Sequence, residues 1–152
     1  MYKIVCVGKI KEDFLTKGIN EYTKRINGFV KFDIIEVKEV NTNNIVNNMK
    51  EEANNILQKI NKNDYVITLE IEGKSFDSIL FSKELEKLVT YGNSNIVFVI
   101  GGSNGLDESV KERSNMALSF SKFTFPHQLM RLILVEQIYR SLTITYNKEY
   151  HK

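Results

Sequence analysis

An α/β domain built on a mainly parallel sheet is predicted by three observations. Strand-like runs alternate with amphipathic helical segments along the whole chain. The first and fourth runs are almost continuously apolar, as in strands buried on both faces. The chain has 152 residues and is 42% hydrophobic, which suits one domain with a single core.

The elements follow in order. "YKIVCVG" (2–8) reads as the first strand, and the lone cysteine within it, Cys6, reads as a buried small hydrophobe. Leu15, Ile19, Tyr22 and Ile26 then share one helical face. "FVKFDIIEV" (29–37) is the second strand. Ile45, Met49, Ile56 and Ile60 mark a second helix through an asparagine-rich stretch. "YVITLEI" (65–71) is followed by a third helical segment over about 75–91, with Phe76, Leu80, Leu85, Leu88 and Val89. "NIVFVIGG" (95–102) and "ALSFSKFTF" (117–125) complete the strands. The last segment, from His127 to about Leu142, is apolar around most of its circumference. Such a helix needs burial on more than one side, so one side is assigned to the sheet and the other to a second copy. A homodimer is predicted, with Ile138 and Leu142 as candidates to face the partner.

Composition narrows the functional classes. Charged residues make up 26% of the chain with both signs interspersed, which argues against long disorder. No apolar run approaches the roughly 18–20 residues that cross a bilayer, and the N-terminus lacks the flanks of a secretory signal. One cysteine and two histidines cannot supply a standard structural zinc site. The expectation is a cytoplasmic, metal-free protein with no membrane partner. Residues 111–152 carry seven Lys/Arg against three Glu, while the whole chain is only +2. That bias fits either a polyanion-facing surface or an ordinary solvated one.

Ligands of open α/β sheets bind beyond the carboxyl ends of the strands, and two such ends stand out. In "IGGSNGLDES" the glycines are Gly101, Gly102 and Gly105, which is neither G-x-G-x-x-G nor a phosphate loop. Asp107 and Glu108 at the next helix start would repel a pyrophosphate. A nucleotide phosphate is disfavoured, a neutral or cationic ligand is admissible, and a plain tight turn competes with both. In "FTFPHQ" the only proline, Pro126, suits a helix start and holds Phe125 extended, defining a rigid corner. His127 and Arg131, four apart, are expected to share a helix face at the cleft mouth, where a titratable ring and a fixed cation suit a weakly acidic substrate.

The combination "VITLEIEGK", "FVIGGSNGL", "ALSFSKFTFPHQLMR", "EQIYR" and terminal "YHK" resembles the RlmH family of SPOUT-class ribosomal RNA methyltransferases along essentially the whole chain. The resemblance implies one SPOUT domain over 1–152, an α/β fold with a C-terminal trefoil knot that ordinary topology rules would not suggest, and a homodimer. It implies S-adenosylmethionine as cofactor, held at Leu69, at Gly101, and by Ser121, Lys122, Phe123, Thr124, Phe125 and Pro126. The implied reaction is methylation of N3 of a pseudouridine in 23S ribosomal RNA, in the large subunit or the assembled ribosome. His127, Arg131 and Arg140 are the expected catalytic helpers. Tyr150, His151 and Lys152 form a tail expected to reach the partner's cofactor site. The competing readings are a non-catalytic RNA- or ribosome-binding module and a SPOUT methyltransferase with another RNA substrate.

Overall fold

Side-chain alternation along the strands divides the core into two halves. The computed structural model describes residues 1–152, and its strands form one five-stranded parallel sheet of order β2-β1-β4-β3-β5. These strands are β1 (Tyr2–Val7), β2 (Phe32–Val37), β3 (Tyr65–Ser75), β4 (Ile96–Ile100) and β5 (Met116–Ser119). Tyr2, Ile4 and Cys6 of β1, with Ile96, Phe98 and Ile100 of β4, point to one face; Val5, Val7, Val97 and Val99 point to the other. The central strands are buried on both faces, in keeping with their nearly continuous apolar runs. Burial also pushes the Cys6 thiol up to about 12, which leaves it inert at neutral pH.

The first face is covered by α1 (Asp13–Asn27), α3 (Ser78–Thr90) and α5 (His127–Thr145), and the second by α2 (Ile45–Leu57) and α4 (Glu108–Arg113). Helix α5 lies between α1 and α3, with Leu134, Val135, Ile138 and Leu142 in the core. Ser82 on α3 donates to the Ser141 carbonyl at 2.8 Å, so small residues let these two helices meet closely.

Several expected details are corrected. Ile138 and Leu142 are buried against their own sheet and cannot face a partner. Helix α2 turns inward Asn48, Glu52, Ala53 and Ile56, while Ile45 is exposed. Its buried polar pair has partners: Asn48 bonds Thr42, and Glu52 accepts from the Val40 N–H at 2.9 Å. Those bonds close the β2–α2 connection, so local polar satisfaction outweighs apolar spacing there. Leu80 and Val89 of α3 are likewise exposed, and Phe81 and Ser82 take the inward places.

The fifth strand ends at Ser119, not at 125, and the rest of that run is loop. Strand β3 extends to Ser75 with an irregularity: Leu69 and Lys74 both register with Leu118 of β5. Residues 70–73 therefore bow out of the ladder. Gly73 lets the strand return, because a Cβ there would lie 2.7 Å from the Ala117 backbone.

Candidate active site

Beyond the carboxyl ends of β3, β4 and β5 the loops enclose a cleft of about 780 Å³, within the range of small-molecule sites. One wall is the bowed segment of β3, with Leu69, Glu70, Ile71 and Glu72. The floor is the turn after β4. A Cβ on Gly101 would lie 2.8 Å from the Gly105 backbone, and Gly105 itself has φ +81. The Gly105 N–H donates to the Gly102 carbonyl at 3.0 Å. Crowding thus favours glycine at 101 and backbone conformation favours it at 105, and both glycines line the cleft.

The third wall is the loop from Phe120 to Pro126. Ser121 Oγ accepts from the Phe123 N–H at 3.0 Å, which curls the loop, and Phe123 stands 78% exposed. Pro126 has φ −54 and ψ 134, so it turns the chain from extended backbone into α5. Its carbonyl accepts the Met130 N–H at 2.9 Å as the first turn of the helix forms.

Of the residues expected to hold a cofactor, Leu69, Gly101, Ser121, Phe123, Thr124, Phe125 and Pro126 line one cleft, and Lys122 points outside it. The sequence reading missed Glu70, Ile71, Glu72 and Lys111. Glu70 accepts from Thr68 Oγ1 at 2.6 Å and lies 3.9 Å from Lys111 Nζ. Gly73 was the one signal that could have revealed this wall. No group of three or more His, Cys, Asp or Glu side chains is placed to hold a metal ion.

His127 lines the cleft, but Arg131 does not, so the expected shared face is corrected. Arg131 is 2% exposed and runs beneath the β1 end. Its guanidinium donates to Glu36 at 2.6 Å and to the Gly8 carbonyl at 3.0 Å, while its Nε has no partner. It is a structural cation. Beside His127, burial raises the Glu52 carboxyl above its ordinary range, and Glu39 adds to the rise; the Val40 N–H and His127 act against it.

A second cluster forms at the other end of α5. Arg140 donates to Glu136 Oε1 through Nε at 3.0 Å and Nη2 at 2.6 Å. Tyr150 donates to the same oxygen at 3.0 Å, lies 3.1 Å from the Tyr22 hydroxyl, and sits edge-on to Tyr139. Burial together with these two contacts raises the Tyr150 phenol. His151 Nδ1 is 3.1 Å from Arg140 Nη1, and Lys152 is exposed. The tail is pinned, not frayed. Thirteen residues of helix separate Arg140 from His127, about 20 Å, so one protomer does not bring the two clusters together.

A parallel sheet with a glycine-floored cleft over its carboxyl end, and no phosphate loop, defines an α/β architecture with room for a compact organic ligand. Residues 1–151 match the family model described as "Predicted SPOUT methyltransferase". The chain belongs to this family of SPOUT methyltransferases. It is 53% identical over 156 residues to the ribosomal RNA large subunit methyltransferase H of Pediococcus pentosaceus, covering 99% of this chain and 98% of that one. It is 52% identical over 155 residues to the protein of the same description from Finegoldia magna, covering 98% of each. Among solved structures, a probable methylase family protein from Haemophilus influenzae superposes with a TM-score of 0.55 at 12% identity, over 99% of this chain and 70% of that one. A tRNA (m1G37) methyltransferase from Aquifex aeolicus does so with a TM-score of 0.55 at 14% identity, over 91% and 69%. These distant structures share the fold.

Replacing Glu36 with Ala strands the Arg131 cation in the interior and is expected to cost about 3 kcal/mol. Urea unfolding measures it; an unchanged midpoint would show that Arg131 does not depend on Glu36.

Proposed function

We propose that this protein is an S-adenosylmethionine-dependent methyltransferase, acting as one domain, that modifies N3 of a pseudouridine in 23S ribosomal RNA. The observation that carries the reading is the single cleft shared by residues of three separate motifs, in a chain about half identical over its full length to the relatives named above. The residues present fit the cofactor. Gly101 leaves backbone free for an adenine edge, Leu69, Leu106 and Leu118 supply apolar contact, and the one lysine in the lining, Lys111, is paired with Glu70. Glu70 and Glu72 suit a ligand with a cationic centre. When bound, S-adenosylmethionine supplies a sulfonium-activated methyl group, which a ring nitrogen takes as the carbon–sulfur bond breaks and its electron pair stays on sulfur. The same reading carries the trefoil knot, with the loop through Pro126 as the segment that closes the cleft.

The homodimer supplies what one protomer lacks. Every residue of α5 is at least half-buried or in the core, yet its outward side still carries Leu129, Ile133 and Ile144. A two-fold axis crossing α5 near its middle pairs the helices antiparallel and sets one protomer's Arg140, Tyr150 and His151 beside its partner's cleft. His127 and Pro126 come from one chain and the tail from the other. Lys152, exposed at the end of this tail, suits RNA phosphate.

Three outcomes test this reading. Mass spectrometry of large-subunit RNA from cells without the gene should lack one methylated pseudouridine; an unchanged RNA would defeat the substrate assignment. Calorimetry should detect S-adenosylmethionine binding unchanged in EDTA and lost in Gly101→Val, whose side chain has no room beside Gly105; normal binding by that variant would misplace the cleft. Ile133→Glu should yield a folded monomer in sedimentation at micromolar concentration, and persistence of a dimer would remove Ile133 from the interface.

A further inference from the structure

The hydrogen bonds around Arg140 bear on which group can take the imide proton from the target ring. Its Nε and Nη2 are both committed to Glu136 Oε1, and its Cζ lies 4.8 Å from the centre of the Tyr150 ring. The guanidinium plane is thereby fixed, and Nη1 meets His151 Nδ1 at 3.1 Å. A guanidinium has only donors and keeps its charge at any working pH. His151 Nδ1 must therefore offer a lone pair, and the ring proton resides on Nε2. Protonating Nδ1 would set two N–H groups against each other beside a permanent cation.

The position of the ring is also set. Asn147 is the one non-glycine residue with positive φ, at 51, a conformation asparagine tolerates. With it, the Lys148 N–H reaches back to the Thr143 carbonyl at 2.8 Å, and the chain reverses onto α5. Tyr150 then anchors on Tyr22 and Glu136, one residue before His151.

We propose that His151 acts as a hydrogen-bond donor through Nε2–H to a carbonyl oxygen flanking the target nitrogen, and is not the base that deprotonates it. This rests on the proposed assignment of the tail to the partner's cleft. An imide that loses its N3 proton spreads the charge over its two carbonyl oxygens, and an N–H polarised by Arg140 is suited to hold it. The proton itself passes to solvent water. With Nδ1 engaged and Nε2 protonated, the ring has no lone pair to accept it.

The test uses the full-length dimer with 15N-labelled histidine, of which the chain has only two. Two-bond 15N–1H correlation spectra, assigned by the signal missing in His151→Gln, should show the Nε2–H tautomer near neutral pH. An Nδ1–H tautomer or an imidazolium would overturn the proposal. On ribosomes from cells lacking the gene, His151→Gln keeps a donor near the Nε2 position and should retain kcat within about tenfold of the natural enzyme. His151→Leu should lose about 100-fold, with KM for S-adenosylmethionine unchanged in both. If Gln falls as far as Leu, the donor role is wrong while the tail stays catalytic. If Leu works at full rate, both the donor role and the tail's part in catalysis are wrong.

Discussion

The buried guanidinium of Arg131 ties the first turns of α5 to the carboxyl ends of two strands, and both the cleft and the Arg140 cluster depend on where that helix lies. It reaches Glu36 on β2 and the carbonyl of Gly8 just after β1. Gly8 has φ +84, and its N–H is held by the Val37 carbonyl at 2.9 Å. Burying a cation costs several kcal/mol before its partners offset it. What the arrangement secures is position, because α5 is otherwise apolar on nearly every side and its side chains alone set its rotation weakly. The ion pair and the carbonyl contact fix its rotation, so that His127 opens onto the cleft and Glu136 and Arg140 point away from the core.

Much of this was legible in the sequence, and the failures have physical causes. Strands buried on both faces announce themselves through nearly continuous apolar runs; β4 is wholly apolar, and β1 is broken only by Lys3. Strand β5 is different. It lies at the sheet edge with β3 as its sole neighbour, and β3 bows away at residues 70–73. The run "ALSFSKFTF" keeps a strand-like pattern, but beyond Ser119 it has no ladder to join, and Phe123 and Phe125 turn to the cleft side. Arg131 was misplaced for a related reason. Spacing of four puts two residues on one side of a helix, but it cannot tell which side is inside when the whole circumference is apolar. Nothing in the sequence pairs Arg131 with a glutamate 95 residues away.

The electrostatics of the two ends differ in kind. In the cleft lining Glu70 and Glu72 outnumber Lys111, and Asp107 and Glu108 follow directly after the lining residue Leu106. Acidic walls over an apolar floor disfavour a polyphosphate and are compatible with a cationic centre. At the far end of α5 the cations Arg140 and Lys152 gather with His151, around a single carboxylate that Arg140 and Tyr150 share. An acidic cleft and a basic cluster on one small chain would partly cancel each other if adjacent in the same protomer. The length of α5 keeps them apart.

That separation also places the basic cluster clear of the loops that form the cleft. The surface beside the cleft is taken up by the loops that form it. In the proposed dimer the helix that closes the cleft in one subunit carries the substrate-facing groups for the other. Each such group is held by contacts internal to its own chain: Arg140 by Glu136, Tyr150 by Tyr22, and the chain reversal by Asn147. The ordering of this tail is thus met during folding, which leaves less conformational entropy to lose when RNA arrives. In the proposed dimer, a helix with one rigidly docked end and one pre-organised end is a strut between two half-sites. Its single buried cation sets the angle for both.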